Sequence, residues 1–221
     1  MSTSVDHLSE RTQDAGDLLG DIVPTAITLA TMLRHRTMAA WLRAEFDGYA
    51  DRDKAPTFRR DVPGYIVAKS PQYGWIPAPV DEEQTREFAH LDLCQGVKEL
   101  ENICLTRKKG NGNRVQLDKQ DMVALQKQIN LSAELAINLS RDVYCKTLRT
   151  VRATIYLWCE ELMAAGVAGE HNHYTPEERK KVEHLDTPEA FWRKAMEQVD
   201  DLPIPDVREL GFLERMFGRA G

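Results

Sequence analysis

The chain has 221 residues, of which 42% are hydrophobic and 29% are charged, and its formal net charge is -6 at pH 7. This composition is typical of a globular protein that buries a sizeable core, and it excludes a disordered or fibrous chain. The negative balance also excludes a protein that coats nucleic acid over its whole surface, although it allows a local basic patch.

The first 50 residues predict three helical segments. The first is amphipathic and is expected to end near Gly20, and Pro24 suits the first turn of the second. Apolar residues then recur at spacings of three and four up to Leu33. Thr37 is the expected cap of the third helix, and Gly48 is expected to end it because glycine adopts left-handed conformations at low cost. We expect the second and third helices to form an antiparallel pair.

Prolines and glycines interrupt residues 51–80 and exclude a long helix there. Two short runs rich in branched and aromatic residues flank a turn at 70–74, and they predict a small β-hairpin at about 61–76. A lone hairpin is marginally stable in water, so we expect this one to pack on the helices.

A helix is predicted to begin after the three acids at 81–83, because negative charge favours a helix N-terminus. Apolar residues recur at helical spacing over 88–104, with Gly96 as the position for a bend. Basic residues and glycines at 106–116 predict a flexible loop, and the pattern at 122–129 predicts a further helix.

The longest regular segment runs from about 139 to 165. Apolar side chains recur there at alternating spacings of four and three, and a second apolar row widens this face. We therefore predict a mainly α fold, a helical bundle around this one long central helix with the small hairpin beside it.

Two further helices are predicted near the C-terminus. Residues 175–178 combine a threonine cap, a first-turn proline and a capping-box glutamate, and the pair at 187–188 begins a second helix. Residues 206–221 are expected to form a final amphipathic helix. We expect a helical domain at 1–170 and a C-terminal helical extension at 171–221 that packs on it or on a partner.

The four cysteines form no C-x-x-C pair, so we expect reduced and mostly core-facing thiols. The first residues lack the pattern of a signal peptide, and no window approaches the ~20 apolar residues of a membrane span. The expected location is the cytoplasm.

One set of ionisable residues could hold an anion or move a proton: Glu45, Tyr49, Arg59 and Arg60. An arginine beside the glutamate would keep its carboxylate ionised. The favoured interpretation is structural, with Glu45 paired to Arg59 so that the hairpin region is tied to the helix end. Structural ion pairs perturb titration as readily as active sites do.

A second set surrounds the segment G-N-G-N and could wrap a phosphate: Arg107, Lys108, Lys109 and Arg114. The segment lacks the residue order of a P-loop and does not follow a predicted strand. A solvated loop is therefore the favoured interpretation.

No metal site or cofactor is predicted. Glu170, His171 and His173 are too few ligands for zinc, and His184 is a helix away. Serine, cysteine and histidine show no spacing that indicates a catalytic triad.

The string W-L-R-A-E-F-D-G-Y at 41–49, followed by P-T-F-R-R, resembles the AbiTii family of bacterial abortive-infection domains. The positions that match the family pattern are Trp41, Glu45, Gly48, Tyr49, Pro56 and Arg59. Phe46 replaces a leucine of that pattern and Phe58 replaces a tyrosine. Segments at 97–103 and 151–167 also look like helices of the family, so the resemblance covers most of 1–170.

The resemblance implies a role in defence against phage and brings no established catalytic mechanism. Our leading hypothesis is a non-enzymatic sensing, assembly or interaction module that assembles with itself or with a partner protein of the defence system. The alternative is an enzyme that acts on a phosphodiester of a nucleic acid or nucleotide through Glu45, Arg59 and Arg60, with help from the loop at 107–114. A nucleic-acid partner is not favoured. A cyclic-nucleotide sensor would require a cavity lined by cations and aromatic rings.

Overall fold

The computed structural model describes residues 3–107, 112–167 and 173–207. The predicted mainly α class is confirmed, with a small antiparallel sheet beside the helices. The helices are α1 (Ser4–Gln13), α2 (Leu19–Leu33), α3 (Arg36–Asp47), α4 (Glu82–Phe88), α5 (Val97–Thr106), α6 (Lys119–Gln128), α7 (Arg141–Ala164), α8 (Pro176–Val182) and α9 (Pro188–Gln198). The strands are β1 (Val62–Pro63), β2 (Tyr65–Ser70), β3 (Gly74–Pro77), β4 (His90–Leu91), β5 (Gly112–Gln116) and β6 (Leu135–Ser140).

Helix α2 begins one turn earlier than predicted and passes through both Gly20 and Pro24. The expected stop at Gly20 is therefore wrong. The reason lies on another helix, because the Glu101 carboxylate accepts hydrogen bonds from the N–H groups of Leu19 and Gly20 at 2.7 and 3.1 Å. A side chain from α5 thus replaces the missing local cap of α2.

Helix α3 begins at Arg36, so Thr37 is not its cap. The Asp186 carboxylate accepts from the N–H groups of Thr37 and Met38 at 3.1 and 2.7 Å. The predicted end of α3 at Gly48 is confirmed, and the φ of +93° at this residue favours glycine. Helices α2 and α3 pack against each other as expected.

The predicted hairpin exists as β2 and β3, but it is part of a four-stranded antiparallel sheet in the order β3-β2-β6-β5. Strand β5 occupies the end of the segment predicted as a flexible loop. Strand β6 precedes α7, so the long helix begins at Arg141 rather than 139. Five of the six β6 residues are buried, and an apolar run without alternation cannot be distinguished from a helix by its period.

The helical pattern predicted over 88–104 is interrupted. Helix α4 ends at Phe88, and β4 pairs with β1 before α5 begins at Val97. The backbone between the two helices bonds to residues far away in sequence, since the N–H of Leu93 donates to the Arg59 carbonyl at 2.7 Å. These long-range bonds replace the helical ones.

The core has two parts. The larger surrounds α7, which packs against α1, α5 and α9. The smaller lies between the sheet and helices α4 and α6. A bundle around one long helix therefore describes only the larger part.

The predicted starts of α8 and α9 are confirmed, each with a proline in its first turn. Residues of both helices contribute to the larger core, among them Val182 and Phe191. The division into two domains remains a prediction, and the expected helix at 206–221 lies outside the described residues from 208 onward. Among the helices in the described ranges, none is long and apolar enough to cross a membrane.

We predict that Gly96→Ala destabilises the protein by about 1–3 kcal/mol, because a Cβ at this position would lie 2.3 Å from the Phe46 carbonyl oxygen. The matched control is Gly16→Ala, where the nearest atom, at 3.1 Å, belongs to the Asp14 side chain, which can move. Urea unfolding should show a control change within about 0.5 kcal/mol. Equal stabilities of the two variants would contradict the close packing described at Gly96.

Candidate functional site

A fully buried ion pair lies where α3 ends. The Arg59 Nε and Nη2 atoms donate to Glu45 Oε2 at 2.9 and 2.5 Å, and both side chains are 0% exposed. Charges are costly to remove from water, and they are tolerated in a core when they are paired and their remaining hydrogen-bonding groups are satisfied. The predicted pairing of Glu45 with Arg59 is present in the structure.

The other polar groups of the pair also have partners. Arg59 Nη1 donates to the carbonyl oxygens of Leu93 and Gln95 at 2.9 and 2.8 Å. The Tyr49 hydroxyl donates to Glu45 Oε1 at 2.6 Å, and its ring centroid lies 5.5 Å from the Arg59 guanidinium carbon. We name Glu45, Tyr49 and Arg59 the buried charged cluster.

Local structure brings these three side chains together. Glu45 lies in the last turn of α3, and Gly48 then redirects the chain so that the Tyr49 N–H donates to the Cys94 carbonyl at 2.7 Å. Arg59 ends a 3₁₀ turn at Thr57–Arg59. A Cβ at Gly48 would lie 2.7 Å from the Cys94 oxygen, so the close approach requires glycine.

The environment keeps the Tyr49 hydroxyl protonated. Burial raises the pKa of Tyr49 most, and the negative charge and hydrogen bond of Glu45 raise it further. The positive charge of Arg59 opposes this pKa shift but is outweighed. Tyr49 therefore acts as a hydrogen-bond donor to the carboxylate over the physiological pH range.

Arg60 does not join the buried charged cluster. Its side chain is half-buried and forms no ion pair with any residue in the described ranges. The structure thus unites three of the four residues predicted as one functional group. Within this cluster the carboxylate and the guanidinium face each other and the backbone of 93–95 rather than solvent.

The predicted anion-binding loop is only partly described. Lys108 and Lys109 lie outside the described residues, whereas Arg107 follows directly after α5. Arg114 belongs to strand β5, and its guanidinium carbon lies 5.3 Å from the centroid of the Trp75 ring on β3. This arginine therefore contributes a cation–π contact across one face of the sheet.

A cleft of about 580 Å³ lies between the α2–α3 connection and α8, and sequence reasoning did not single it out. We name it the cationic cleft, because its lining includes Arg34, Arg36, Arg179 and Lys180. The signal available in the sequence was the run R-H-R at 34–36 and the basic face of α8. These two segments are more than 140 residues apart, so the sequence could not indicate that they meet.

The acids of the cationic cleft do not neutralise it through ion pairs. Asp186 uses its carboxylate to cap α3, and Glu183 forms no ion pair within the described part of the chain. Arg179 donates through Nε to the Met32 carbonyl at 3.0 Å, which holds its guanidinium at the cleft. The cleft can therefore bind an anionic group.

His35 lies beneath the cationic cleft and is 2% exposed. Burial lowers the pKa of His35, while Asp186 and the Val182 carbonyl oppose this shift. Neither ring nitrogen makes a hydrogen bond of normal geometry with the described residues. Its ring packs 5.8 Å from the Trp158 ring, so His35 serves as core at this position.

The predicted absence of a metal site is not tested at His171, which lies outside the described residues. Elsewhere in the described ranges, no group of three histidine, cysteine or acidic side chains is placed to hold an ion.

The model of the AbiTii family matches residues 5–187. The match extends beyond the expected limit at residue 170 and includes α8 and Asp186, the residue that caps α3. No curated protein and no solved structure matches the chain.

We predict that Glu45→Gln destabilises the protein by about 3 kcal/mol, because it leaves the buried Arg59 charge without a carboxylate. Glu134→Gln is the control, since Glu134 pairs with Lys69 at 2.9 Å with both side chains exposed, and such pairs contribute up to about 1 kcal/mol. Urea unfolding monitored by circular dichroism measures both. Similar losses in the free energy of unfolding of the two variants would show that the buried pair stabilises the protein no more than an exposed pair does.

We also predict that Tyr49→Phe is less stable than the unchanged protein at neutral pH and that this difference narrows above about pH 10, the usual pKa of tyrosine in an unfolded chain. The raised pKa keeps Tyr49 protonated in the folded state after the unfolded chain has lost this proton, so its contribution falls as pH rises. Unfolding measured between pH 7 and 11 tests this. A stability difference that stays constant from pH 7 to 11 would contradict the raised pKa of Tyr49.

Proposed function

The chain belongs to the AbiTii family, and we propose that it acts in antiphage defence as a non-enzymatic sensing, assembly or interaction module. Family membership indicates a role in abortive infection. The proposal adds that the chain works by recognition rather than by reaction. It also places the chain in the cytoplasm, in contact with a second copy of itself or with a partner of the same defence system.

The burial of the charged cluster is the observation that supports this proposal. The family resemblance rests partly on Glu45, Tyr49 and Arg59. These three are the ionisable residues among the matched positions of the family pattern. Glu45 and Arg59 are 0% exposed and bond to each other and to backbone carbonyls. A substrate could reach them only after this part of the fold opened.

The rival hypothesis of a phosphodiester-acting enzyme requires Glu45, Arg59 and Arg60 to face a substrate. The burial of Glu45 and Arg59 favours the structural role, in which the cluster holds the end of α3 against the segment at 93–95. Phe58 agrees with this interpretation, because its ring packs 5.8 Å from the Trp192 ring. The tyrosine hydroxyl of the family pattern is not needed for such packing.

The cationic cleft is where we expect recognition to occur. Arg34, Arg36 and Lys180 are exposed, and within the described ranges none of them forms an ion pair. Like charges brought together by the fold repel one another, and an anionic group on a ligand or partner would relieve this repulsion. Among the described residues that line the cleft, His35 is the only aromatic side chain, so this part of the chain supplies the cations but not the aromatic platform expected of a cyclic-nucleotide sensor.

We predict that Lys180→Glu reduces protection in a phage plaque assay while the protein stays folded, because it reverses a charge in the cationic cleft. Lys127→Glu is the matched control, since Lys127 is an exposed lysine on α6 away from the cleft. Unfolding curves for both variants separate loss of function from loss of structure. Full protection by Lys180→Glu would remove the cleft from the proposal.

A third variant distinguishes the module from the enzyme. If the cluster is structural, Glu45→Gln should reduce protection only as far as it reduces the amount of folded protein. A lower growth temperature should then restore both the folded protein and the protection. A Glu45→Gln protein that remains folded and still binds its partner but gives no protection would favour the enzyme. Light scattering after size exclusion tests self-assembly, and a monomer that captures no partner from infected cells would argue against the module.

A further inference from the structure

Two cysteines from different helices lie in direct contact. Cys104 is near the end of α5 and Cys145 is in the first turns of α7, and their Sγ atoms are 2.9 Å apart. We propose that this pair is a reversible redox site, in which Cys145 reacts with a peroxide and Cys104 then closes a disulfide that fastens α5 to α7. The inference does not depend on the proposed function.

The geometry already approaches that of the oxidised pair. A disulfide requires a sulfur–sulfur distance of about 2.05 Å, so the two sulfurs need to approach by only about 1 Å. Helices α5 and α7 pack against each other along the larger core, which holds the two thiols in place. All four cysteines are free in this structure, and the prediction of reduced thiols therefore describes the starting state.

The two thiols differ in access. Cys104 is 0% exposed, whereas Cys145 is half-buried and lines a cleft of about 300 Å³. The charged residues of this cleft are three cations and three acids: Arg141, Lys146, Arg149, Asp142, Asp200 and Asp206. A small oxidant can therefore reach Cys145 first. Cys104 is positioned behind it as the resolving thiol.

The opposite pKa shifts of the two thiols favour the same order. The hydrogen bond with Cys104 and the nearby Arg141 lower the pKa of the Cys145 thiol, although burial, Asp142 and Asp206 oppose this. The contact with Cys145 and burial raise the pKa of Cys104. A thiolate is the reactive form of cysteine, so the more accessible Cys145, whose pKa is lowered, is assigned as the nucleophile and Cys104 as the thiol that reacts second.

The reaction balances with hydrogen peroxide as the oxidant. The Cys145 thiolate attacks one peroxide oxygen, the O–O bond breaks, and the products are a Cys145 sulfenic acid and hydroxide, which takes a proton to become water. The Cys104 sulfur then attacks the Cys145 sulfur, the S–O bond breaks, and a second water leaves with the Cys104 proton. The two sulfurs lose two electrons to the peroxide, and a dithiol reductant reverses the change.

Arg141 connects this pair to the chain beyond α9. Its Nε donates to the Cys104 carbonyl and its Nη2 to the Val207 carbonyl, each at 2.7 Å. Oxidation would join α7, which carries this guanidinium, to α5, whose Cys104 carbonyl the guanidinium binds. A link between residues far apart in sequence also restricts the unfolded chain, so the oxidised form should unfold at a higher temperature.

The test treats the reduced full-length chain with hydrogen peroxide, unfolds it in denaturant without reductant, and then blocks the remaining thiols with an alkylating reagent, because Cys104 and Cys159 are buried in the folded chain. We expect two of the four cysteines to escape alkylation, peptide mapping to identify a Cys104–Cys145 link, and dithiothreitol to restore all four thiols. Four alkylated cysteines after treatment, or a link between any other pair, would overturn the proposal. This measurement needs no substitution, so it does not depend on a variant that folds.

Three variants define the roles. Cys104→Ala should stop at a sulfenic acid on Cys145, which dimedone traps, and Cys145→Ser should form neither this sulfenic acid nor the disulfide. Cys94→Ser is the matched control, because Cys94 is also half-buried and has no sulfur partner among the described residues. A link that persists in Cys145→Ser, or one that is lost in folded Cys94→Ser, would refute the assignment.

Discussion

The buried pair of Glu45 and Arg59 is the interaction on which the arrangement of the helical core depends. Two charges removed from water are tolerated there because the guanidinium also bonds to the carbonyls of Leu93 and Gln95 and the carboxylate also accepts from Tyr49. These bonds hold the segment before α5 against the end of α3, where Gly96 approaches the Phe46 carbonyl too closely for any side chain. Because α5 begins directly after this contact, its position on α7 and α2 follows from it.

Two other helices also depend on a carboxylate that is remote in sequence. Glu101 on α5 binds the first N–H groups of α2, and Asp186 after α8 binds those of α3. A buried acid in such a position is stabilised by hydrogen bonds from backbone donors, although burial still raises the pKa of Glu101. The cap from Asp186 also places α8 beside the α2–α3 connection. The cationic cleft is therefore a consequence of how α3 is capped, and the family match that includes residue 186 covers this contact.

The candidate site could be predicted in part. Glu45 and Arg59 carry opposite charges, and a glycine or proline lies three residues from each, so the sequence indicated that they would pair. Nothing local indicated that both side chains would be inaccessible to solvent. Arg60 follows Arg59 directly and yet lies outside the cluster, because the 3₁₀ turn ends at Arg59 and the backbone becomes extended at Arg60. The cationic cleft and the contact of Cys104 with Cys145 were not predictable, since each joins segments that only the packing of several helices brings together.

By itself the sequence determined the mainly α class and those helix ends whose signals are local. The capping box before α8, the proline that begins α9 and the glycine that ends α3 act within one turn of backbone, so residue types alone identify them. Only the tertiary structure decided where α2 and α3 begin, that β5 and β6 complete a sheet, and that the charged residues of the AbiTii pattern are internal. In each of these cases the partner of a backbone or side-chain group is remote in sequence. Burial and long-range hydrogen bonding are properties of the packed chain, and no local pattern encodes them.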